Sequence, residues 1–364
     1  MFLTVSNLAH YLIGSGRISS ESVVSGDFLA MEAGRRNRNY KVMRQKGPGL
    51  FIKQVSSPDP QAITTLQREA VCYQIVSSNP ALARLAALTP KYVAYDPKRH
   101  VLIVELLPGE ESLNAHHKRL GEFPVELGRT LGRSLGACHS EAGRLFLDQA
   151  PPAVLPRQTP WILSFHSSNP ASIGSLSGGN QQLWSLLRQF PDFTRHLEEL
   201  RAGWCHNALI HGDIKWDNCL VYQGPDGKPA FRIVDWELAD FGDADWDAGA
   251  MLQAYLVYWM LSLPQQTGTF PEEWIRKSPV QLEAMHPSIQ AFWKSYVGAR
   301  GLDPSAARTA LRRCVQYCAA RMVQTAYEHL AFSPQASGSG ILLLQTSLNL
   351  LRDPEGATRE LFGL

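Results

Sequence analysis

His211-Gly212-Asp213 follows an apolar pair, Leu209-Ile210, and Asn218 stands five residues after the aspartate. A second apolar pair, Ile233-Val234, ends on Asp235-Trp236-Glu237. These residue types at these spacings suit phosphoryl transfer to a hydroxyl. A carboxylate at 213 orients an acceptor hydroxyl and takes its proton. An amide oxygen at 218 and a carboxylate at 235 hold a hard cation against polyphosphate oxygens. The transition state of such a transfer is loose, so positioned charge is what the protein must supply. Each residue also has a plainer reading: a turn cap at 213, an Asx-turn at 218, a strand-end cap at 235. Two such runs in this order, with a hairpin between them, favour the chemical reading.

The elements that would position them can be read from pattern. Phe28-Leu29-Ala30-Met31, Tyr40-Lys41-Val42-Met43 and Leu50-Phe51-Ile52-Lys53-Gln54-Val55 read as strands, the last two joined by the turn Lys46-Gly47-Pro48-Gly49. A helix containing Glu69 is predicted from about Ile63 to Val76, and Lys91–Tyr95 and Val101–Glu105 read as two more strands. Leu106-Leu107-Pro108-Gly109 reads as a crossing, because proline and glycine disfavour continuing a strand or helix. Residues 1–24 read as an amphipathic helix, with Leu3, Leu8, Tyr11 and Leu12 on one side, ending near Gly14-Ser15-Gly16 and packed on this sheet. Apolar residues recur at helical spacing from Pro124 to His139, and the chain after Trp246 reads as mostly helical, broken near Pro264–Pro271 and Ser333–Gly340. The 150–180 stretch is rich in Pro, Ser, Gly and Asn and reads as a long loop, a candidate acceptor-site lid.

Lys53 sits inside an apolar strand, where an inward-facing lysine needs a partner; alternation alone assigns it to neither face. Between Ala30 and Lys53 seven bases (Arg35, Arg36, Arg38, Lys41, Arg44, Lys46, Lys53) stand against Glu32. Between Asp235 and Asp247 there are six acids and no base. That arrangement suits a polyphosphate held by lysine and amides on one side and by metal on the other.

The net charge of +2 points to no polyanionic partner, so nucleic acid is not expected. No apolar run approaches the roughly 20 residues that span a bilayer, and the start of the chain does not read as a signal peptide. Six scattered cysteines without a C-x-x-C pair fit a reducing cytoplasm.

His211-Gly212-Asp213-x-x-x-x-Asn218, Val234-Asp235-Trp236-Glu237 and Gly242-Asp243-Ala244-Asp245-Trp246-Asp247 together resemble the aminoglycoside phosphotransferase and choline kinase group, a branch of the protein-kinase-like fold. The resemblance is tight over residues 209–250, looser over 25–140, and fades over the last hundred. It implies an α+β, bilobal protein-kinase-like fold: an N-lobe, residues 1–106 with the extension 1–24, and a mainly helical C-lobe, residues 107–364. It implies ATP and Mg2+. Lys53, oriented by Glu69, would hold the α- and β-phosphates. Asn37, Arg38 and Asn39 would lie in the phosphate-covering loop, and Glu105, Leu106 and Leu107 would offer backbone groups to adenine. Asn218 and Asp235 would hold the metal. Asp213 would activate the hydroxyl with Lys215 assisting, His211 would shape the loop, and Asp247 would brace its backbone. Glu237 and Asp240 could touch metal or a cationic acceptor.

One position departs from that group: Lys215 stands where the group more often has histidine, and serine/threonine protein kinases carry lysine there. The loop around Gly34 has one glycine, unlike the G-x-G-x-x-G of protein kinases, and so fits this branch, which is often glycine-poor there. The resemblance makes a small-molecule hydroxyl the expected acceptor. A Ser or Thr of a peptide, for example in modified-peptide biosynthesis, and an inactive nucleotide-binding scaffold are the alternatives.

Overall fold

A computed structural model describes residues 2–34, 37–107, 109–148, 152–224, 227, 229–264 and 271–364. Arg35 and Arg36 of the first hairpin, Pro108 of the crossing, Pro151, and residues 265–270 of the break near Pro264–Pro271 lie outside them. The chain forms two compact units: residues 1–116, 152–155 and 217–239, and residues 117–151, 156–216 and 240–364.

Unit 1 is built on an antiparallel sheet of β1 (Leu29–Glu32), β2 (Arg38–Met43), β3 (Leu50–Gln54), β4 (Tyr92–Asp96) and β5 (Val101–Glu105), in the order β1-β2-β3-β5-β4. Register pairs Lys53 with Asn39 on β2 and with Leu102 on β5. Side chains alternate across a strand. Tyr40, Val42, Ile52, Val101 and Ile103 therefore share one buried face with Leu3, Leu8, Leu12 and Ile18 of the N-terminal extension. Asn39, Lys41, Phe51, Lys53, Leu102 and Val104 share the other, where they line a cavity.

The extension's first helix, Val5–Gly14, ends where its pattern predicts, and a second short helix, Ser20–Val24, follows; each is opened by a hydroxyl cap, Thr4 and Ser19. Between them Gly16 takes φ 68°, a left-handed turn that ends the first helix. Leu3 is also tied to the sheet by its backbone: its N–H donates to Gln54 Oε1 at 2.7 Å, and its carbonyl accepts from Tyr40 Oη at 2.7 Å.

Helix Pro60–Ser78 starts on an Asp59 side-chain cap with proline at its first position. Leu66, Glu69, Ala70, Tyr73 and Val76 recur at helical spacing and are all buried. Glu69 is thus carried on an inward face. Strands Glu111–Ser112, Cys219–Gln223 and Pro229–Ile233 form a second small sheet in this unit, with Cys219–Gln223 central.

Unit 2 is mainly helical. Helix Val125–Asp148 lies along helix His286–Arg300. Gly128, Gly132 and Gly136 form the contact stripe, where an added Cβ would come within 2.6 Å of the Ser288, Phe292 and Tyr296 carbonyl oxygens. Only glycine permits that approach. Helices Ala244–Ser262 and Pro304–His329 pack together, and strands Ala208–Ile210 and Asp240–Gly242 form a two-stranded antiparallel pair. Part of the expected 150–180 loop forms short helical pieces: a 3-10 segment Trp161–Ser167, helix Pro170–Ile173 and the first turn of Gly178–Gln189. Asn169 and Ser177 cap the last two through their side chains. Among the described residues no helix is long and apolar enough to cross a membrane.

Candidate active site

Two charged centres occupy the two units. In unit 1, Asn37, Asn39, Lys53, Glu69, Asn218 and Asp235 line one cavity of about 470 Å³, a size suited to a small organic ligand. Phe51, Leu102, Val104, Leu220 and Val234 supply its apolar wall, and Glu105, Leu106 and Leu107 run along it. Lys53, nearly fully buried, donates to Glu69 Oε2 at 2.7 Å and closely to Asp235 Oδ1. Burial alone would pull the Lys53 ammonium down, but Glu69, Asp235 and Glu237 outweigh it and hold the group above its ordinary value. Glu69 is pushed up by burial, with Lys53 pulling against that. Tyr73 also reaches Glu69, at 3.3 Å to Oε1.

Asp235 has φ 69° and ψ 50°. Left-handed backbone is uncommon outside glycine, and Asp and Asn are among the few residues enriched there. It turns the chain sharply from strand Pro229–Ile233 into the 3-10 turn Trp236–Leu238. The Asn218 carbonyl accepts from Val234 N–H at 2.9 Å, which ties the two metal-ligand candidates' segments together. A carboxylate and an amide oxygen form a hard donor set. It fits a magnesium-like ion, which typically takes one or two protein ligands and completes its shell with water and phosphate. Among the described residues no cluster of three or more His, Cys, Asp or Glu forms an all-protein metal cage.

One expected nucleotide contact needs revision. Arg38 faces away from the cavity: its guanidinium lies over the Phe2 ring at 4.9 Å and reaches the Leu3 carbonyl. Alternation explains it, because Asn37 and Asn39 take the cavity face. The Glu105 and Leu106 N–H groups are already committed, to the Lys91 and Gly49 carbonyls, both at 2.9 Å.

In unit 2, Asp213 follows strand Ala208–Ile210 at a turn where Gly212 has φ 81°. Asp247 braces that turn through its carboxylate, which accepts from His211 N–H at 2.6 Å and Gly212 N–H at 3.1 Å. His139 Nε2 lies 3.5 Å from Asp247, and the His139 Nδ1 side meets Tyr296 Oη at 3.0 Å. Burial pushes the Asp247 carboxyl up, but His139 and the loop N–H groups hold it below its ordinary value. His211 Nδ1 in turn accepts from Asp213 N–H at 3.3 Å, a loop-shaping contact.

The Asp213 carboxylate lies between two cations. Lys215 Nζ is 2.8 Å from Oδ2, and Arg321 Nη2 is 2.9 Å from Oδ1. Burial would raise its pKa; Arg321 and Lys215 outweigh that and hold it at about 2. Arg321 also donates to the Gly212 carbonyl at 3.1 Å, and Trp246 Nε1 donates to the same oxygen at 2.9 Å. Asp240 is an anchor here: its carboxylate takes the N–H groups of Arg157 and Gln158, each at 2.8 Å, and so fixes the start of the 156–168 segment. Glu237 lines the unit 1 cavity instead.

Arg321 and His139 are the members of this second centre that motif reading misses; Trp246 lies within the motif, which gives it no role. A signal for Arg321 exists, since it interrupts the apolar run Cys318-Ala319-Ala320-Arg321-Met322-Val323 as Lys53 interrupts its strand.

An antiparallel sheet with one buried helix, joined in the chain to a helical unit carrying the His-Gly-Asp turn, defines the protein-kinase-like class. Residues 27–267 match the family profile described as the phosphotransferase enzyme family. The chain belongs to that family and is a phosphotransferase. No curated protein sequence matches it. Solved structures similar to it include an ethanolamine kinase from Plasmodium vivax, with a TM-score of 0.58 and 13% identity over 96% of this chain and 89% of that one. A choline kinase from Cryptosporidium parvum Iowa II has a TM-score of 0.60 and 12% identity over 95% and 97%. The GDP complex of aminoglycoside 2′-phosphotransferase-IIIa has a TM-score of 0.58 and 15% identity over 95% and 99%. At these identities the likeness is one of fold.

Proposed function

We propose that the protein is an ATP- and magnesium-dependent kinase that phosphorylates the hydroxyl of a small molecule. The observation that carries this reading is the Asp213 carboxylate, kept ionised on a braced His-Gly-Asp turn in a chain that also pairs a buried Lys53 with Glu69. Residues 1–106 serve chiefly nucleotide binding, and residues 107–364 carry the catalytic turn and the acceptor site. Lys53, oriented by Glu69, holds the α- and β-phosphates. Asn37 and Asn39 approach the phosphates, and Leu107 offers its backbone to the base. Asn218 and Asp235 hold Mg2+, which when bound neutralises charge on the phosphate oxygens.

Asp213 orients the acceptor O–H. The acceptor oxygen forms a bond to the γ-phosphorus as the bond from that phosphorus to the β–γ bridging oxygen breaks. ADP leaves, a phosphate monoester forms, and the hydroxyl proton passes to Asp213 and on to solvent. A carboxylate held at about 2 is a weak base, so its contribution is orientation and late acceptance of the proton. Lys215 stands ready to neutralise the transferred phosphoryl group.

The named activities of the neighbours support a small acceptor: ethanolamine, choline and aminoglycoside for three of them. The GDP complex supports nucleotide use. The six scattered cysteines, none in a C-x-x-C pair, support a cytoplasmic enzyme. The test is transfer from ATP labelled at the γ-phosphate, with magnesium, to a cell extract split into small-molecule and peptide fractions. Asp213→Asn serves as the control. Label in small molecules, absent with the control, is the expected result. Label on peptide would replace this reading with a peptide kinase, and equal label with and without Asp213 would remove the catalytic role.

A further inference from the structure

We propose that Arg321 is a positioning residue for the transfer, tethering one oxygen of Asp213 so that the other alone meets the acceptor hydroxyl. The inference rests on the reading of Asp213 as the acceptor-facing carboxylate. Arg321 spans two atoms of the turn at once, Oδ1 of Asp213 at 2.9 Å and the Gly212 carbonyl at 3.1 Å. A planar guanidinium fork holds two acceptors in fixed relation; an ammonium, a point charge on a flexible stem, does not.

The two cations on Asp213 differ in how firmly they are held. The Lys215 side chain is 40% exposed, and that of Arg321 only 5%. Arg321 stands on the 26-residue helix Pro304–His329, with its Cζ 5.4 Å from the Trp246 ring centre, and Trp246 itself holds the Gly212 carbonyl. The Lys215 contact is therefore the exchangeable one: an acceptor hydroxyl replaces the ammonium at Oδ2, and the ammonium is freed toward phosphate. Arg321 stays, and stops the carboxylate from swapping its oxygens. A buried guanidinium in an apolar helix face is costly unless paired, so the pairing persists through the cycle.

The experiment uses the full chain with magnesium and γ-labelled ATP, with water as acceptor, reading release of labelled phosphate. Arg321→Ala is expected to lose about 100-fold in kcat, the scale of a small misplacement at the reacting centre, with KM for ATP unchanged. Added guanidinium ion is expected to restore part of that kcat to Arg321→Ala and none to Asp213→Asn. Equal losses in kcat and nucleotide binding without rescue, or an unchanged kcat, would overturn the proposal. If Arg321→Ala does not fold, Arg321→Lys decides: it keeps the charge and loses the two-point hold. Reduced kcat with wild-type nucleotide binding supports the proposal, and wild-type kcat overturns it. Undiminished release by Asp213→Asn would remove the reading beneath it, whereas an inactive Asp213→Asn beside fully active Arg321 variants would remove this inference alone.

Discussion

In unit 1 a lysine sits among carboxylates; in unit 2 a carboxylate sits between cations. Lys53 is set against Glu69 and Asp235, and Asp213 against Arg321 and Lys215. In both centres the outnumbered group is held in its charged form against the cost of burial: Lys53 above its ordinary value, Asp213 well below. In unit 1 one of the outnumbering groups bears a cost: burial pushes Glu69 up, with Lys53 pulling against that. The sensitive residue in each centre is therefore the one in the minority. Removing it leaves like charges facing each other, while removing one of the majority leaves a pair.

The largest effect tests that rule at the turn. Asp213→Asn should lower phosphoryl transfer by about 10²–10⁴-fold, the range for a lost acid–base group, with nucleotide binding intact by equilibrium titration. Retained turnover would break the comparison outright. Lys53→Met should destabilise the protein by about 3–5 kcal/mol in urea unfolding, because Glu69 and Asp235 are left uncompensated. That loss should shrink from neutral to mildly acidic pH, as Glu69, already pushed up, takes a proton. A loss independent of pH would show that the two carboxylates do not repel.

A third expectation concerns linkage. Asp213 falls from an ordinary 3.8 to about 2, so its ion pairs favour the folded state by about 2 kcal/mol. The folded value is depressed, so that stability is fully present above the unfolded value near 4. It is lost as pH falls through the folded value near 2. The stability difference between wild type and Asp213→Asn should be flat above about pH 5 and shrink below pH 4. The smallest effect is the majority case: Lys215→Met, at a partly exposed pair, should change stability by less than about 1 kcal/mol. A larger change would show that Lys215 is as firmly built in as Arg321.

Residues close in sequence with polar signatures were readable from the chain. Asp213, Asn218 and Asp235 lie close along one stretch of chain; Asp213 sits between Lys215 and Arg321, Asp235 against Lys53, and the Asn218 carbonyl accepts from Val234 N–H. Lys53 was readable as a buried charge but not as to its face; register against Asn39 and Leu102 decides that, and register is non-local. The same alternation turns Arg38 outward, which motif position alone could not say. Arg321 joins Asp213 across more than a hundred residues, in a helix that carries no motif. Only the packing of helices Ala244–Ser262 and Pro304–His329 brings it to the turn. The 150–180 stretch looked structureless because its composition favours turns, yet the cap residues Asn169 and Ser177 and the Asp240 anchor give those turns fixed places.

The left-handed backbone at Asp235 bears on how this protein can evolve. A single nucleotide change in an aspartate codon leads to Asn, Gly, His, Tyr, Val, Ala or Glu. Gly and Asn accept φ 69° readily but surrender the negative charge. Glu keeps the charge but is a poor occupant of that backbone, and its longer arm moves the carboxylate. Val adds a β-branch where the backbone tolerates it least. No one-step path preserves both the turn and the charge, so this codon is an isolated point in sequence space, and drift here would require a compensating change elsewhere first.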